Sequence, residues 1–329
     1  MYMSNKITRR HHFIPQFFLK TFSQKGRTAD VINVFDKKTF KEFQSSIEDV
    51  AFIKDLHTVI IEGEKTDYFE KAHNKIFERR LVLLYRFLLR KINNVIQDYK
   101  VFNCLSIERR KEIFLNAYIA EDEKYLLTFL LSYFIVRGKK KYCATKELHD
   151  KKEMIMRDMA RAYNIDNIDE KIEKTIGKKE DLKLLQIEAT FKGKERENLQ
   201  EKFQNHVMVI GLNFTDINFY TSDNIHALTS MCNIPRARGI GYSTPGNVIY
   251  FPISPKICVI MIDANIIDNA IEIDRSYIKL DKDTLDSINE HMVLSSIDQV
   301  YSVDGNWNDL KTTYKKYNLK KGYKPYIVS

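Results

Sequence analysis

The four cysteines of this 329-residue chain, Cys104, Cys143, Cys232 and Cys258, are scattered and form no CxxC pair. That excludes a disulfide framework and a zinc knuckle, and predicts free thiols in a reducing compartment. With only 11 Gly and 6 Pro, the chain is neither collagen-like nor low-complexity. The longest apolar run, Leu126 to Val136, is about half of a spanning helix and is interrupted by Thr128 and Ser132. The N-terminus lacks the apolar stretch of a signal peptide. These absences predict a cytoplasmic protein with no membrane association. There is no Walker loop, HExxH or kinase motif set. Gly239-Ile240-Gly241 lacks the third glycine of a dinucleotide fingerprint and reads as a loop. Without a paired carboxylate cluster no obligate metal is implied, although Mg²⁺ or Mn²⁺ is compatible with the candidate site below.

What is present is a packed, basic protein. A hydrophobic fraction of 44% and an aromatic fraction of 12% exclude disorder. The net charge of +9 favours polyanionic partners such as nucleic acid or nucleotides, although a Lys-rich composition arises from AT-biased genomes as well.

Alternation over Ala29–Phe35 and Phe40–Gln44, joined by Asp36-Lys37-Lys38-Thr39, predicts a β-hairpin, and Val59–Ile61 a further strand. From Asp67 to Gln97 the pattern is helical, with Tyr68, Ala72, Ile76, Leu83, Phe87 and Val95 predicted on one face. Ser106 opens another helix as its N-cap. Glu121 to Arg137 is apolar on most faces and reads as the central core helix, ended by Gly138. A basic patch, Lys139-Lys140-Lys141, precedes a charged helix over Thr145–Tyr163. Residues 164–202 carry ion pairs four apart, which predicts a solvated helical arm or a surface for a protein partner. From Phe203 the texture is strand-rich, with strands at Val248–Phe251, Ile257–Ile262 and Val300–Val303 and an amphipathic helix over Asp281–Ile297. The Lys- and Tyr-rich tail, Lys311 to Lys324, reads as peripheral and able to track a nucleic-acid backbone. The expected fold class is α+β, with a helical middle (67–202) inserted between two β-containing ends (1–66 and 203–329) that pack together as one composite domain.

Several polar stations carry candidate chemistry. In His11-His12-Phe13-Ile14-Pro15-Gln16-Phe17-Phe18-Leu19-Lys20-Thr21-Phe22, two imidazoles precede an aromatic-rich run. His12 is the first candidate for a general acid or base, since imidazole titrates near neutrality. His11 would support it, and Gln16, four residues on, would orient a water or phosphate. Pro15 suits a first helical turn, so a helix should start beyond His12. Asp223 with Asn224 and Ser222 forms the second station, able to orient a histidine, coordinate Mg²⁺ or form an ordinary Asx turn. Ser222 lacks nucleophile-elbow glycines. Arg137 with Lys139 and Lys140 forms the third, a phosphate-facing patch or a simple helix end.

The N-terminal motif resembles the opening of a widespread bacterial domain-of-unknown-function family, number 4238, whose pattern runs His-aromatic-aliphatic-Pro-x-x-aromatic-Leu-x-x-Phe. Other stations are similar in order: Val34-Phe35-Asp36-Lys37, Leu131 to Arg137, Thr221-Ser222-Asp223-Asn224, Phe251-Pro252-Ile253-Ser254-Pro255, Ile288-Asn289 and Val300-Tyr301-Ser302. The chain departs from the family at Ile225, where proline is usual, and at Gly138-Lys139, where Thr-Pro is common. The resemblance implies a shared architecture and candidate positions, and no chemistry. Two functions follow as expectations. The first is a hydrolase acting on a phosphate-bearing substrate, a nuclease of a bacterial toxin or phage-defence system, with His12, His11, Gln16 and Asp223 catalytic and Arg137, Lys139, Lys140, Asn224 and Ser222 binding substrate. The second is a non-catalytic module that binds a nucleotide, nucleic acid or protein.

Overall fold

The computed structural model describes residues 9–61, 64–68, 71, 75, 78–101, 118–177, 187, 193–232 and 240–325. The N-terminal segment carries β1 (Arg10–His12), α1 (Gln16–Leu19), β2 (Gln24–Lys25), β3 (Asp30–Asp36), β4 (Lys41–Ser46), β5 (Phe52–Lys54), β6 (Val59–Ile61) and β7 (Glu64–Thr66). Among the described residues five longer helices follow: α2 (Arg79–Val101), α3 (Glu121–Arg137), α4 (Lys139–Ala162), α5 (Ile168–Ile176) and α6 (Lys194–Gln204). The C-terminal segment holds β8 (His206–Asn213), β9 (Thr221–Ser222), β10 (Ala227–Ser230), β11 (Asn247–Ser254), β12 (Ile257–Asp263), α7 (Ala270–Ile273), β13 (Ser276–Leu280), α8 (Lys282–Ser295), β14 (Gln299–Ser302) and α9 (Asn308–Lys316). The fold is α+β.

Among the described residues β1-β5 and β6-β7 form two-stranded pairs, and two five-stranded sheets organise the remaining strands. One runs β10-β11-β12-β8-β13, antiparallel except for β13, which lies parallel to β8. The run Ile257–Met261 on β12 is buried throughout, as a strand covered on both faces should be. The other sheet runs β2-β3-β14-β9, with β4 on β3. In it the two ends of the chain meet, because Val300 pairs with Phe35 on one side and Ser222 on the other. The predicted hairpin is β3 and β4.

Phe18 shows why these layers share one core. Fully buried, it stacks on Phe251 at 5.8 Å between centroids, meets Phe134 edge-on at 5.2 Å and contacts Phe22 and Tyr85. Those partners come from the N-terminal, helical and C-terminal segments alike. Stripping so many ring contacts leaves a cavity, so Phe18→Ala is expected to cost about 3–5 kcal/mol in denaturant unfolding. A loss below about 1.5 kcal/mol, the range of a tolerated volume-conserving swap, contradicts this central position.

The helical segment departs from expectation in three places. On α2 the buried face is Leu81, Tyr85, Leu88, Ile92 and Ile96, whereas Leu83 and Phe87 are exposed. Two apolar stripes overlap in this helix, and periodicity alone selects the outward one. The basic patch does not precede the charged helix expected from Thr145 but opens it, because Lys139-Lys140-Lys141 is the first turn of α4. Gly138 serves as C-cap of α3 and N-cap of α4 at once. A Cβ there would sit 2.8 Å from the Phe134 carbonyl oxygen, so the abrupt join requires glycine. The tail is not peripheral either: Leu310, Thr313 and Tyr314 of α9 are buried, with Tyr314 edge-on to Phe40 at 4.8 Å. The Ser106 helix start and Gly63 lie outside the described residues, as does most of the chain before α2 that was expected to be helical. Among the described residues no helix is long and apolar enough to cross a membrane.

Lys37 ties the hairpin to α8. Its fully buried ammonium donates to the carbonyls of Val293 (3.2 Å) and Ser296 (2.6 Å) and to Ser296 Oγ (2.9 Å). Burial pulls its pKa down to about 8, against the raising influence of Asp223 and Asp298. Lys37→Met strands those acceptors, and the expected cost is about 1–3 kcal/mol in urea unfolding. An unchanged midpoint contradicts this role.

Candidate functional site

The N-terminal motif places its histidines on a strand. Register pairs His11 with Ile53 and His12 with Phe52. His11 is fully buried, its Nδ1 accepts from the His57 backbone N–H at 2.7 Å, and its ring stacks on His57. Because Nδ1 is an acceptor, a neutral His11 carries its proton on Nε2. His12 is half-buried, with Nε2 3.5 Å from the Gln16 side-chain nitrogen. The two residues do not share a helix, since α1 begins at Gln16 with Pro15 as N-cap. The turn at Ser-free Phe13-Ile14-Pro15 brings them together instead. Helix α1 is a single turn, too short to supply a dipole for an anion.

Asp223 is a buried junction. Its Oδ1 accepts from the Ile297 N–H and its Oδ2 from the Asp298 N–H, both at 2.8 Å, and Lys139 Nζ donates to Oδ2 at 2.9 Å. Lys139 also donates to Asp298 Oδ2 at 2.6 Å and lies 5.8 Å from the centre of the Phe13 ring. Burial works against the Lys139 charge, but the two carboxylates outweigh it and raise its pKa. In Asp298, burial is likewise overcome by Lys139 and Lys38, and the carboxyl is held below its ordinary range. Asp223 thus partners a lysine and two amides, and among the described residues it has no histidine partner. Ser222 Oγ closes the turn through the Asn224 carbonyl and amide. Asn224 Nδ2 donates to the carbonyls of His226 and Ser295. Arg137, fully buried, donates to Glu78 at 2.7 Å and to the Tyr133 hydroxyl at 2.9 Å.

Beside this junction lies a cavity of about 930 Å³, walled by α3, α4, α6, the 223–228 segment and the loop at 240–245. Of the residues singled out from sequence, Lys140, Asp223 and Asn224 line it; His11, His12, Gln16, Arg137, Lys139 and Ser222 do not. Part of the expected arm forms its wall. Glu195, Leu199 and Lys202 of α6 face the cavity, and Phe203 is buried. Lys141 pairs with Glu195 at 2.6 Å, and Lys202 donates to Ser243 Oγ at 2.9 Å. Half-buried Lys140 has no carboxylate partner among the described residues, and burial lowers its pKa.

Sequence reasoning missed His226 and Tyr242. His226 is buried, and its Nε2 shares a 2.7 Å hydrogen bond with the Tyr242 hydroxyl. Burial, reinforced by the Lys140 charge, pushes the His226 pKa down to about 3, so the ring is neutral near pH 7. Burial and the Glu195 charge raise the Tyr242 pKa, which keeps its proton in place. A protonated phenol that accepts from the Nε2–H of a neutral imidazole keeps its own O–H free. With Lys140 nearby, which has no carboxylate partner among the described residues, it can donate to and stabilise an anionic group. The only local signal was proximity, since His226 follows Asn224 by two residues and Tyr242 follows Gly241.

One further cluster lies apart from the cavity lining. His149, Asp150 and Glu153 bring one ligand atom each within 4.8 Å of the others on α4. Arg157 already holds Glu153 through two hydrogen bonds, as expected of an ion-paired helix face.

A family model described as "Protein of unknown function (DUF4238)" matches residues 10–306. The chain belongs to this family. Comparison with curated proteins and with solved structures finds no match to either. The DUF4238 match runs from the His11-His12 strand to beyond β14 and includes every residue that lines the cavity.

Proposed function

We propose that this DUF4238 protein is a hydrolase acting on a phosphate-bearing substrate held in the cavity, a nuclease-type enzyme of the kind used in bacterial toxin or phage-defence systems. The observation that carries the reading is Lys140, a half-buried cation without a carboxylate partner among the described residues, set in the wall of a large cavity. A cation so placed gains from an anion that water cannot screen fully. Basic overall charge supports a polyanionic substrate. In this reading Lys140 and Lys202 hold phosphate, Asn224 borders it, and the Tyr242 hydroxyl, backed by neutral His226, donates a hydrogen bond to the negative charge that develops. His12 and Gln16 stand outside that lining, so the catalytic role moves from His12 to charge stabilisation by the Tyr242 hydroxyl.

The test is a cleavage assay on RNA, transfer RNA and plasmid DNA, with and without Mg²⁺ or Mn²⁺. Wild type, His12→Ala and Tyr242→Phe are run side by side. Wild type and His12→Ala should cleave comparably, while Tyr242→Phe, which loses the stabilising donor, falls by about 10²-fold or more. Loss confined to His12→Ala returns the chemistry to the N-terminal motif. The non-catalytic binding module is favoured by a separate observation, that Asp223, Arg137 and Ser222 are each engaged within the protein. Ligand binding with no turnover of any substrate selects it.

A further inference from the structure

Charge balance in the cavity restricts what fills it. Lys141 is neutralised by Glu195, and Asp223 by Lys139. Among the described residues Lys140 and Lys202 have no carboxylate partner, which leaves two uncompensated cations in the lining, half-buried Lys140 from α4 and exposed Lys202 from α6. The rest of the lining is largely apolar, with Ile14, Phe134, Leu148, Leu199, Ile225 and Leu228. We infer that the cavity takes a phosphomonoester carried on an apolar or ring-shaped body, with the terminal phosphate between Lys140 and Lys202 and the body against that apolar wall. The inference rests on the hydrolase reading of the proposed function and narrows its phosphate-bearing substrate to a terminal monoester in place of an internal phosphodiester.

Three arguments converge. A phosphomonoester carries a charge of about −1.5 to −2 at pH 7, which matches two cations, whereas each internal phosphodiester offers about −1. The volume of about 930 Å³ lies at the upper end of small-molecule pockets, far more than inorganic phosphate occupies. Proteins that track a nucleic-acid strand line a basic groove with successive aromatic platforms. Here Phe134 of α3 and Tyr242 of the 240–245 loop are the two Phe, Tyr or Trp side chains of the lining, too few for a run of successive platforms. Neutral, buried His226 adds a polar edge close to the cations without adding charge.

A nucleoside monophosphate, an isoprenoid monophosphate and the 5′-phosphorylated end of a nucleic acid share this chemistry, and calorimetric titration of the full chain separates them. The probes are one nucleoside 5′-monophosphate and its parent nucleoside, geranyl phosphate and geraniol, an oligonucleotide with and without its 5′-phosphate, and inorganic phosphate. At least one monoester should bind about tenfold or more tightly than both its dephosphorylated parent and inorganic phosphate. Lys140→Met and Lys202→Met should each weaken it by about tenfold, while Lys140→Arg retains binding. Unchanged melting temperatures verify that the variants fold.

Equal binding of parent and monoester overturns the inference. So does indifference to both Met substitutions, or silence from all three monoesters. Cleavage of internal phosphodiesters without monoester binding overturns it while leaving the hydrolase reading intact. Monoester binding without turnover upholds it and removes hydrolysis.

Discussion

Asp223→Ala is expected to destabilise the protein by about 3–5 kcal/mol, the loss typical of removing one partner from a buried ion pair. The carboxylate is almost wholly buried and takes Lys139 and the N–H groups of Ile297 and Asp298. Alanine leaves an ammonium and two amides facing a void where the end of α8 meets β14. Asp298 retains part of the Lys139 charge, which sets the lower end of the range. Urea unfolding of wild type, Asp223→Ala and the double variant Asp223→Ala/Lys139→Met measures the effect. The double variant should recover part of the loss, because the stranded charge is gone. A cost below about 1 kcal/mol, as in an exposed pair, contradicts the junction. Activity lost in Asp223 variants therefore reports on folding first, and stability has to be measured before any catalytic role is assigned.

Stability should also fall steeply with acid because of His226. Its pKa is about 6.5 in an unfolded chain and about 3 in the folded protein. Above pH 6.5 the ring is neutral in both states and costs nothing. As pH falls from 6.5 towards 3 the unfolded chain binds a proton that the folded chain refuses. The folded state then loses about 1.4 kcal/mol per pH unit, on the order of 4 kcal/mol across the window. Carboxyls held low in the fold, including Asp298 and Asp304, lose their contributions as pH falls further, so the control is His226→Gln. The stability gap between wild type and His226→Gln should shift in favour of the variant as pH drops from 7 to 5. A gap constant with pH contradicts a buried neutral His226.

Much of this architecture could be read from local pattern, because much of it is set locally. Helix α3 has the bounds that its apolar run indicates, opened by Glu121, Asp122 and Glu123 and closed by Gly138. The Asp281 side chain caps α8 by accepting from the Thr284 N–H. Strands β11 and β12 are runs of Val, Ile and Phe that only a buried sheet accommodates. The inward face of α2 was not legible, because Leu83 and Phe87 compete with Leu81, Tyr85 and Leu88 for it. Lys140 was legible as a charge but not as a cavity residue, since the cavity it lines is closed by elements distant in sequence, α6 and the 240–245 loop among them. His226 was the least legible: nothing in its sequence neighbourhood signals that Tyr242 and Lys140 converge on it. The family resemblance located the Ser222–Asn224 turn and the Arg137 helix end, yet both are held by contacts within the protein.

The most direct test of the account is anomalous diffraction from crystals soaked in tungstate, a heavy analogue of phosphate. The anion is expected in the cavity, within hydrogen-bond reach of Lys140 and Lys202, and absent from it in crystals of Lys140→Met. Tungstate bound beside His12 and Gln16, with the cavity empty, would contradict the account.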